Sequence, residues 1–248
     1  MNLLVDVGNS RLKWAQAGAA LWETAAAPLG DQGEDSMLDR LWLTMPVPQR
    51  VVVASVNEDW TSRVLHGWLR KRWSLRAQVV RAQRELLGVR NHYHDPATLG
   101  ADRWVALIAA HHLTDGPVCV VDCGTAVTLD ALSAEGDFLG GVILPGLHLL
   151  RTSLVQATKG IRTTDGDAAT CLARSTADAV AAGTFFGLVG AVERVLAEHR
   201  RALGPEMRAL LTGADARRVL PKLRAGAPVT EVPDLVLRGL ALIAEEEL

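Results

Sequence analysis

The chain is poor in cysteine and in surplus charge, and each shortage closes off a class of function. Three cysteines in 248 residues (Cys119, Cys123 and Cys171) cannot build a disulfide framework, and Cys119 and Cys123 lack the paired spacing of a zinc site. A reducing cytoplasm is the expected compartment. Lys and Arg number 26 against 28 Asp and Glu, a net charge of −2, so no broad basic surface is offered to nucleic acid. Any anionic ligand must therefore be held locally. Export is not expected, because Met1–Val5 carries no positive residue and Asp6 interrupts its apolar run. Nor is a membrane span: the longest uncharged stretch, Ala179 to Val192, falls short of the roughly 20 residues a span needs and reads as a buried helix. Its glycines at 183, 187 and 190 leave flat surface for close helix approach, either inside the subunit or across a dimer, and both alternatives stay open. What is present is apolar: 49% hydrophobic against 22% charged residues implies well-filled cores. The length suits two domains of roughly 100–150 residues each.

Periodicity predicts strands at Asn2–Val5 and Leu12–Ala15 around the polar turn Asp6-Val7-Gly8-Asn9-Ser10, and a third strand at Leu21–Thr24. Arg50–Val56 is a continuous β-branched run, expected to be a parallel strand buried on both faces. Helices are predicted at Met37–Thr44, Asp59–Trp73 and Asp102–Leu113. At Pro117 the pattern restarts. Val118–Val121 is a strand, Asp122-Cys123-Gly124-Thr125-Ala126 a polar turn and Val127–Leu132 the return strand, followed by a strand at Gly140–Leu144 and a helix at Leu147–Lys159. A long helix from Thr176 to Arg201, a strand at Arg208–Thr212, a helix at Ala214–Leu223, a strand at Val229–Val232 and a terminal helix from Asp234 complete the chain. Asp6 and Asp122 thus occupy equivalent places in two copies of one plan. The expected architecture is two related α/β lobes, residues 1–116 and 117–248, facing a cleft.

A carboxylate, a glycine allowing close backbone approach and Asn/Ser donors suit a phosphate and its metal ion, and Lys13 can reach the same anion. One such tetrad is as readily an ordinary hairpin turn. Two of them, each between apolar strands and about half the chain apart, favour a nucleotide. Leu99-Gly100-Ala101-Asp102-Arg103-Trp104 opens a helix with an acid and a base side by side, where free N–H groups and the positive dipole end lie. Elsewhere Asp102 would be merely a cap and Arg103 a surface charge. In a phosphoryl-transfer enzyme the pair supplies a carboxylate for the attacking hydroxyl and a cation for an anionic substrate.

These residues resemble a known family. D-V-G-N-S-R-L-K-W-A at 6–15, Tyr93 with L-G-A-D-R-W at 99–104, D-C-G-T-A-V-T-L-D at 122–130, G-G-V-I-L-P-G at 140–146 and S-T-A-D-A-V-A-A-G at 175–183 are similar to the type III pantothenate kinases, of the acetate and sugar kinase, Hsp70 and actin superfamily. The resemblance implies two duplicated ribonuclease H-like lobes of the actin-like ATPase fold around a central cleft. It implies ATP-dependent phosphorylation of pantothenate to 4′-phosphopantothenate, the first step of coenzyme A synthesis, in a cytoplasmic homodimer without nucleic-acid or membrane partners. By matching motif, Asp6, Val7, Gly8, Asn9, Ser10, Arg11, Leu12 and Lys13 bind ATP, with Asp6 near magnesium through water, and Thr125 contacts ATP from the second loop. Asp122 is the implied ligand of a monovalent cation, potassium or ammonium. Gly100, Ala101, Asp102 and Arg103 contact pantothenate, with Asp102 as proton acceptor, and Tyr93 and Thr176 complete the pocket. One departure is visible: Ser175 stands where the family pattern has Asn. Rival readings are another small-molecule kinase of the superfamily and a non-enzymatic accessory regulator of gene expression.

Other features weigh less. His92-x-His94 lacks a third metal ligand at suitable spacing. His111 and His112 are expected to be packed or solvated. Trp14, Trp42, Trp60, Trp68, Trp73 and Trp104 read as core, and Arg70-Lys71-Arg72 as a solvated helix end.

Overall fold

The structure, a computed structural model, describes residues 1–18, 22–29, 34–162, 165–224, 226 and 228–246. The chain divides into two units, Met1–Leu113 with Asp234–Leu248, and Thr114–Pro233. The first holds β1 (Asn2–Val7), β2 (Arg11–Ala17), β3 (Trp22–Pro28), α1 (Glu34–Trp42), β4 (Arg50–Ser55), α2 (Glu58–Trp60), α3 (His66–Trp73), β5 (Ala77–Val79), β6 (Glu85–Leu86), β7 (Val89–Asn91) and α4 (Ala101–Leu113). The second holds β8 (Val118–Cys123), β9 (Ala126–Leu132), β10 (Asp137–Pro145), α5 (Leu147–Ala157), α6 (Thr176–Leu203), β11 (Arg208–Thr212), α7 (Ala216–Val219) and β12 (Val229–Glu231), after which α8 (Leu235–Glu245) returns to the first unit.

One topology serves both. In the first unit the order is β3-β2-β1-β4-β5, and in the second the strands run β10-β9-β8-β11-β12. The β1–β2–β3 and β8–β9–β10 meanders are antiparallel, and each is extended by two parallel strands. The duplication expected from the two D-x-G turns is therefore present strand for strand.

Period-2 alternation decides which residues reach which face. Leu3, Val5 and Val7 of β1 and Leu12 and Trp14 of β2 join the core under α1 and α3, where Trp14, Trp42, Trp68 and Trp73 pack with ring centroids 4.7–6.3 Å apart. All six tryptophans expected in the core are buried. The opposite face carries Leu4, Asp6 and Ala15. In the second unit Cys119, Val121, Cys123 and Leu129 face a core with Phe185, Leu188, Val189 and Val192 of α6. By length and composition α6 is long enough to cross a membrane, yet half of its most apolar window is buried inside the chain.

Several boundaries differ from expectation. β1 and β8 run through Val7 and Cys123, so Asp6, Val7, Asp122 and Cys123 are strand residues rather than turn residues. Parallel pairing of Asp6 opposite Ala54 and of Asp122 opposite Thr212 holds them in the ladder. The expected helix at Asp59–Trp73 contains a π-helical turn, Thr61–Leu65, between α2 and α3. The helix expected at Ala214–Leu223 is only α7 followed by a 3-10 turn at Leu220–Lys222, which carries Pro221. Leu21, in the predicted third strand, lies outside the described residues. The terminal segment from Asp234 belongs with the first unit, although a break at 116/117 would assign it to the second. Its helix packs on α4 so closely that a Cβ at Gly239 would stand 2.1 Å from the Val105 carbonyl oxygen.

Candidate functional site

In the first unit the site is built on the end of β1. Register sets Asp6 directly opposite Lys13 on β2, and Lys13 Nζ lies 3.4 Å from the Asp6 carboxylate. Asp6 is 5% exposed. Burial pushes its carboxyl up from the ordinary value, Lys13 pulls it down, and the nearby Asp102 carboxylate pushes it up again. Asp6 and Asp102, which the sequence separates by most of the unit, thus lie within electrostatic reach of each other. The turn itself is tight: Gly8 N–H donates to the Arg11 carbonyl at 3.0 Å, and a Cβ at Gly8 would stand 3.2 Å from that oxygen. Asn9, Ser10 and Arg11 are exposed at the turn. Val7 and Leu12 are fully buried in the core, which leaves them only main-chain groups to offer.

The dipeptide Asp102-Arg103 sits in the first turn of α4. Asp102 Oδ1 accepts the Arg103 N–H at 2.7 Å, and a Cβ at Gly100 would stand 2.7 Å from that same oxygen. Glycine at 100 is what lets the carboxylate fold back over the helix start. Arg103 is not a surface charge. It is 9% exposed, its Nη1 donates to the Tyr93 hydroxyl at 3.0 Å, and its guanidinium lies 5.8 Å from the Tyr93 ring centroid. Ala101 is buried beside it. The structure therefore brings Tyr93, Gly100, Ala101, Asp102 and Arg103 together, and places Asp6 near them.

The second unit repeats the strand end with different chemistry. Asp122 lies opposite Thr128, where the first copy has Lys13 opposite Asp6. The Thr128 hydroxyl is buried and has no hydrogen-bond partner among the described residues. Thr125 is exposed at the tip of the turn. Two glycines clamp this loop, and sequence reasoning gave neither a role. Gly146, ahead of α5, donates its N–H to the Thr125 carbonyl at 3.0 Å, and a Cβ there would meet the Gly124 oxygen at 2.3 Å. Gly213, at φ +95°, would put a Cβ 2.4 Å from Asp122 Oδ1. The signal for Gly146 was its place in the G-G-V-I-L-P-G block. For Gly213 it was its place just after the strand equivalent to β4.

Thr176 is the first residue of α6 and exposed. Ser175 caps that helix, accepting the Asp178 N–H at 3.1 Å and donating its own hydroxyl to the Asp178 carboxylate at 2.7 Å. The Asn-to-Ser departure thus keeps a working cap. A groove of about 570 Å³ runs from Thr176 along Val180, Gly183 and Gly187 against Leu150 and Leu154 of α5. A Cβ at Gly183, Gly187 or Gly190 would meet nothing within 4 Å. Of the two alternatives for these glycines, close approach inside the subunit is not what the described residues do.

Two units of one strand plan, each carrying a carboxylate one residue before the end of its first strand, define a member of the actin-like ATPase fold. Solved structures agree on the fold. A 2-dehydro-3-deoxygalactonokinase candidate from Sinorhizobium meliloti superposes with a TM-score of 0.61 at 17% identity, covering 98% of each chain. A Campylobacter jejuni protein of the Baf family, described as a candidate transcriptional activator, does so with a TM-score of 0.59 at 21% identity over 98% of this chain and 97% of its own. Within that fold the chain belongs to the type III pantothenate kinases, whose family model matches residues 2–198. The type III pantothenate kinase of Nitrosococcus oceani is 39% identical over 99% of this chain and 94% of its own length. That of Azoarcus sp. is 42% identical over 98% and 90%.

Proposed function

We infer that this chain transfers the terminal phosphoryl group of ATP to the 4′-hydroxyl of pantothenate, giving 4′-phosphopantothenate for coenzyme A synthesis. The observation that carries the reading is the start of α4, where a half-buried carboxylate and a buried guanidinium stand side by side, within electrostatic reach of the Asp6 strand end. Asp102 accepts a hydrogen bond from the attacking hydroxyl and takes its proton as the new phosphorus–oxygen bond forms and the bond from the γ-phosphorus to the bridging oxygen breaks, releasing ADP. A carboxylate is a weak base, but a loose phosphoryl-transfer transition state needs the hydroxyl in line more than it needs early deprotonation. Arg103, aimed by the Tyr93 hydroxyl, holds the anionic end of pantothenate. Gly100 and Ala101 keep the helix start free of bulk beside it, and Thr176 closes the pocket.

ATP lies along residues 6–13, with main-chain groups of Val7, Gly8 and Leu12, side chains of Asn9, Ser10 and Arg11, and Lys13 facing the phosphates; Thr125 contacts it from the second loop. A divalent ion fits at Asp6, a buried carboxylate with the Asp102 carboxylate nearby, and magnesium held by it would neutralise charge on the phosphate oxygens. A monovalent cation, potassium or ammonium, fits at Asp122, whose cross-strand neighbour Thr128 supplies a buried hydroxyl with no other use among the described residues. The α6 groove, apolar and open over Gly183 and Gly187, suits a second copy of the chain, and a homodimer is the form proposed. Three free thiols suit a reducing cytoplasm.

The test is an ATP-coupled assay with pantothenate, with and without potassium, on wild type and Asp102→Asn. Turnover by wild type and a loss on the order of a hundredfold or more in Asp102→Asn are expected. Wild type inert toward pantothenate refutes the substrate, near-normal Asp102→Asn refutes the base, and a full rate in sodium alone removes potassium.

A further inference from the structure

Tyr93 meets Arg103 only if the loop between β7 and α4 has one particular backbone path, and two residues with no assigned role set that path. β6 and β7 form a hairpin whose two-residue turn, Leu87 at φ 51° and Gly88 at φ 81°, is of the type with positive φ at both positions. Gly88 lies on α4, since a Cβ there would stand 3.0 Å from His111 Nε2. The hairpin is thereby seated on the helix that carries Asp102 and Arg103. It delivers Asn91 to the loop, where the residue is 1% exposed. Both ends of the Asn91 amide are used: Oδ1 accepts the Tyr93 N–H at 3.0 Å, and Nδ2 donates to the Pro96 carbonyl at 3.2 Å. Arg84 works from the other side. Its carbonyl accepts the Asn91 N–H at 2.9 Å, while its Nη1 donates to the Asn91 carbonyl at 2.9 Å and to the Tyr93 carbonyl at 3.3 Å. The main chain on both sides of His92 is thus tied, with Tyr93 held through its N–H and its carbonyl.

We propose that Asn91 and Arg84 are positioning residues of the pantothenate pocket, fixing the loop backbone so that the Tyr93 hydroxyl orients the Arg103 guanidinium toward the substrate's anionic end. This rests on the reading of Tyr93 and Arg103 as pantothenate contacts. Neither residue touches substrate. A guanidinium is a planar fork, and its recognition of an oxyanion depends on the plane being set before the ligand arrives. A buried amide is suited to the task because every lost bond leaves a main-chain group of the loop unsatisfied. Any displacement of Tyr93 is passed to Arg103 through the 3.0 Å bond between them.

The experiment uses Asn91→Ala, Arg84→Ala and Arg84→Lys in the full chain, with steady-state kinetics and one binding measurement independent of turnover. The chain has a single tyrosine, so protein labelled with carbon-13 at the tyrosine Cζ shows Tyr93 as one resonance, and titrating pantothenate against it gives a Kd. Asn91→Ala is expected to raise the pantothenate KM and Kd about tenfold, the equivalent of one to two lost hydrogen bonds, with kcat and the ATP KM within about twofold of wild type. Arg84→Ala, at an exposed side chain that folding tolerates, raises them by about threefold, and Arg84→Lys, which restores a donor, recovers part of that loss. Unchanged pantothenate KM and Kd in folded Arg84→Ala and Asn91→Ala, or a loss falling equally on ATP, overturns the proposal. Should Asn91→Ala fail to fold, Arg84→Ala decides alone. Wild type that neither binds nor phosphorylates pantothenate overturns the substrate reading instead, and the wild-type arm shows which of the two has failed.

Discussion

Gly146→Ala adds one methyl group, and the surroundings of that methyl determine its effect. Gly146 has φ −71°, a value any residue adopts, so backbone strain plays no part. The whole effect is steric. The new Cβ would stand 2.3 Å from the Gly124 oxygen, 2.5 Å from the Thr125 oxygen and 3.0 Å from the Thr125 carbonyl carbon, all main-chain atoms of the second loop. Ordinary contact begins near 3.4 Å, so that loop or the start of α5 must retreat by roughly 1 Å. The 3.0 Å bond from Gly146 N–H to the Thr125 carbonyl stretches with it. Overpacking against atoms that cannot rotate away costs about 1–3 kcal/mol, and a chain of this size loses about 2–4 °C of Tm per kcal/mol. The kinetic effect is larger in proportion, because a displacement of about 1 Å at a group that positions the reactants costs on the order of a hundredfold. The assay is calorimetry together with initial rates at varied ATP and varied pantothenate. The loss is expected to fall on kcat and the ATP KM, with the pantothenate KM changed least. Gly67→Ala in α3 is the control: its Cβ meets nothing within 4 Å, so stability rises by about 1 kcal/mol through helix propensity and the kinetics stay as they were. Wild-type Tm and wild-type ATP kinetics in Gly146→Ala would show that the loop is not clamped, and the reasoning would fall.

Gly187→Arg places a long charged side chain in the α6 groove at a position where its Cβ meets nothing within 4 Å, so folding should survive while light scattering after gel filtration reports a monomer; a stable dimer in that variant removes the groove from the interface. Hydrogen bonds from Arg72 and from Trp68 Nε1, at 2.6 and 2.9 Å, hold the Asp39 carboxyl below its ordinary range. Its folded pKa is lower than its unfolded one, so this stabilisation is complete above the ordinary carboxylate range and is lost as pH falls through the folded value. Tryptophan fluorescence during unfolding at pH 3–5, on the order of the carboxylate range, should show that dependence, and Asp39→Asn should flatten it. Burial pushes the Cys123 thiol up to about 12 and raises that of Cys119 still further, whereas Cys171 is exposed. A thiol reagent should therefore titrate one cysteine in the native protein and three after unfolding. Two fast native reactions would contradict the packing of β8.

Local sequence carried the meander, the parallel strand after it and the second copy of both, because period-2 alternation and β-branched runs depend on near neighbours. It also carried the six buried tryptophans. The π-helical turn at Thr61–Leu65 left no local mark, since its residues keep helical spacing on either side. β5, β6 and β7 are too short for periodicity to show. Val7 and Leu12 were counted with the ATP loop by motif, but the same alternation that pairs Asp6 with Lys13 turns both into the core.

Sequence alone determined that two D-x-G strand ends exist, that an acid-base pair opens a helix, and that no disulfide framework or broad basic surface competes with a nucleotide reading. These are properties of composition and short-range order, and one sequence suffices to read them. Tertiary structure decided how those pieces act together. It set Lys13 across from Asp6 but Thr128 across from Asp122, through strand register. It buried Arg103 and tied it to Tyr93, joined by a loop that Asn91 and Arg84 hold. It placed Asp102 within electrostatic reach of Asp6, and it returned α8 to the first unit through the close approach of Gly239 to Val105. Each of those outcomes depends on which faces meet after packing, and chain positions far apart in sequence carry no local record of that.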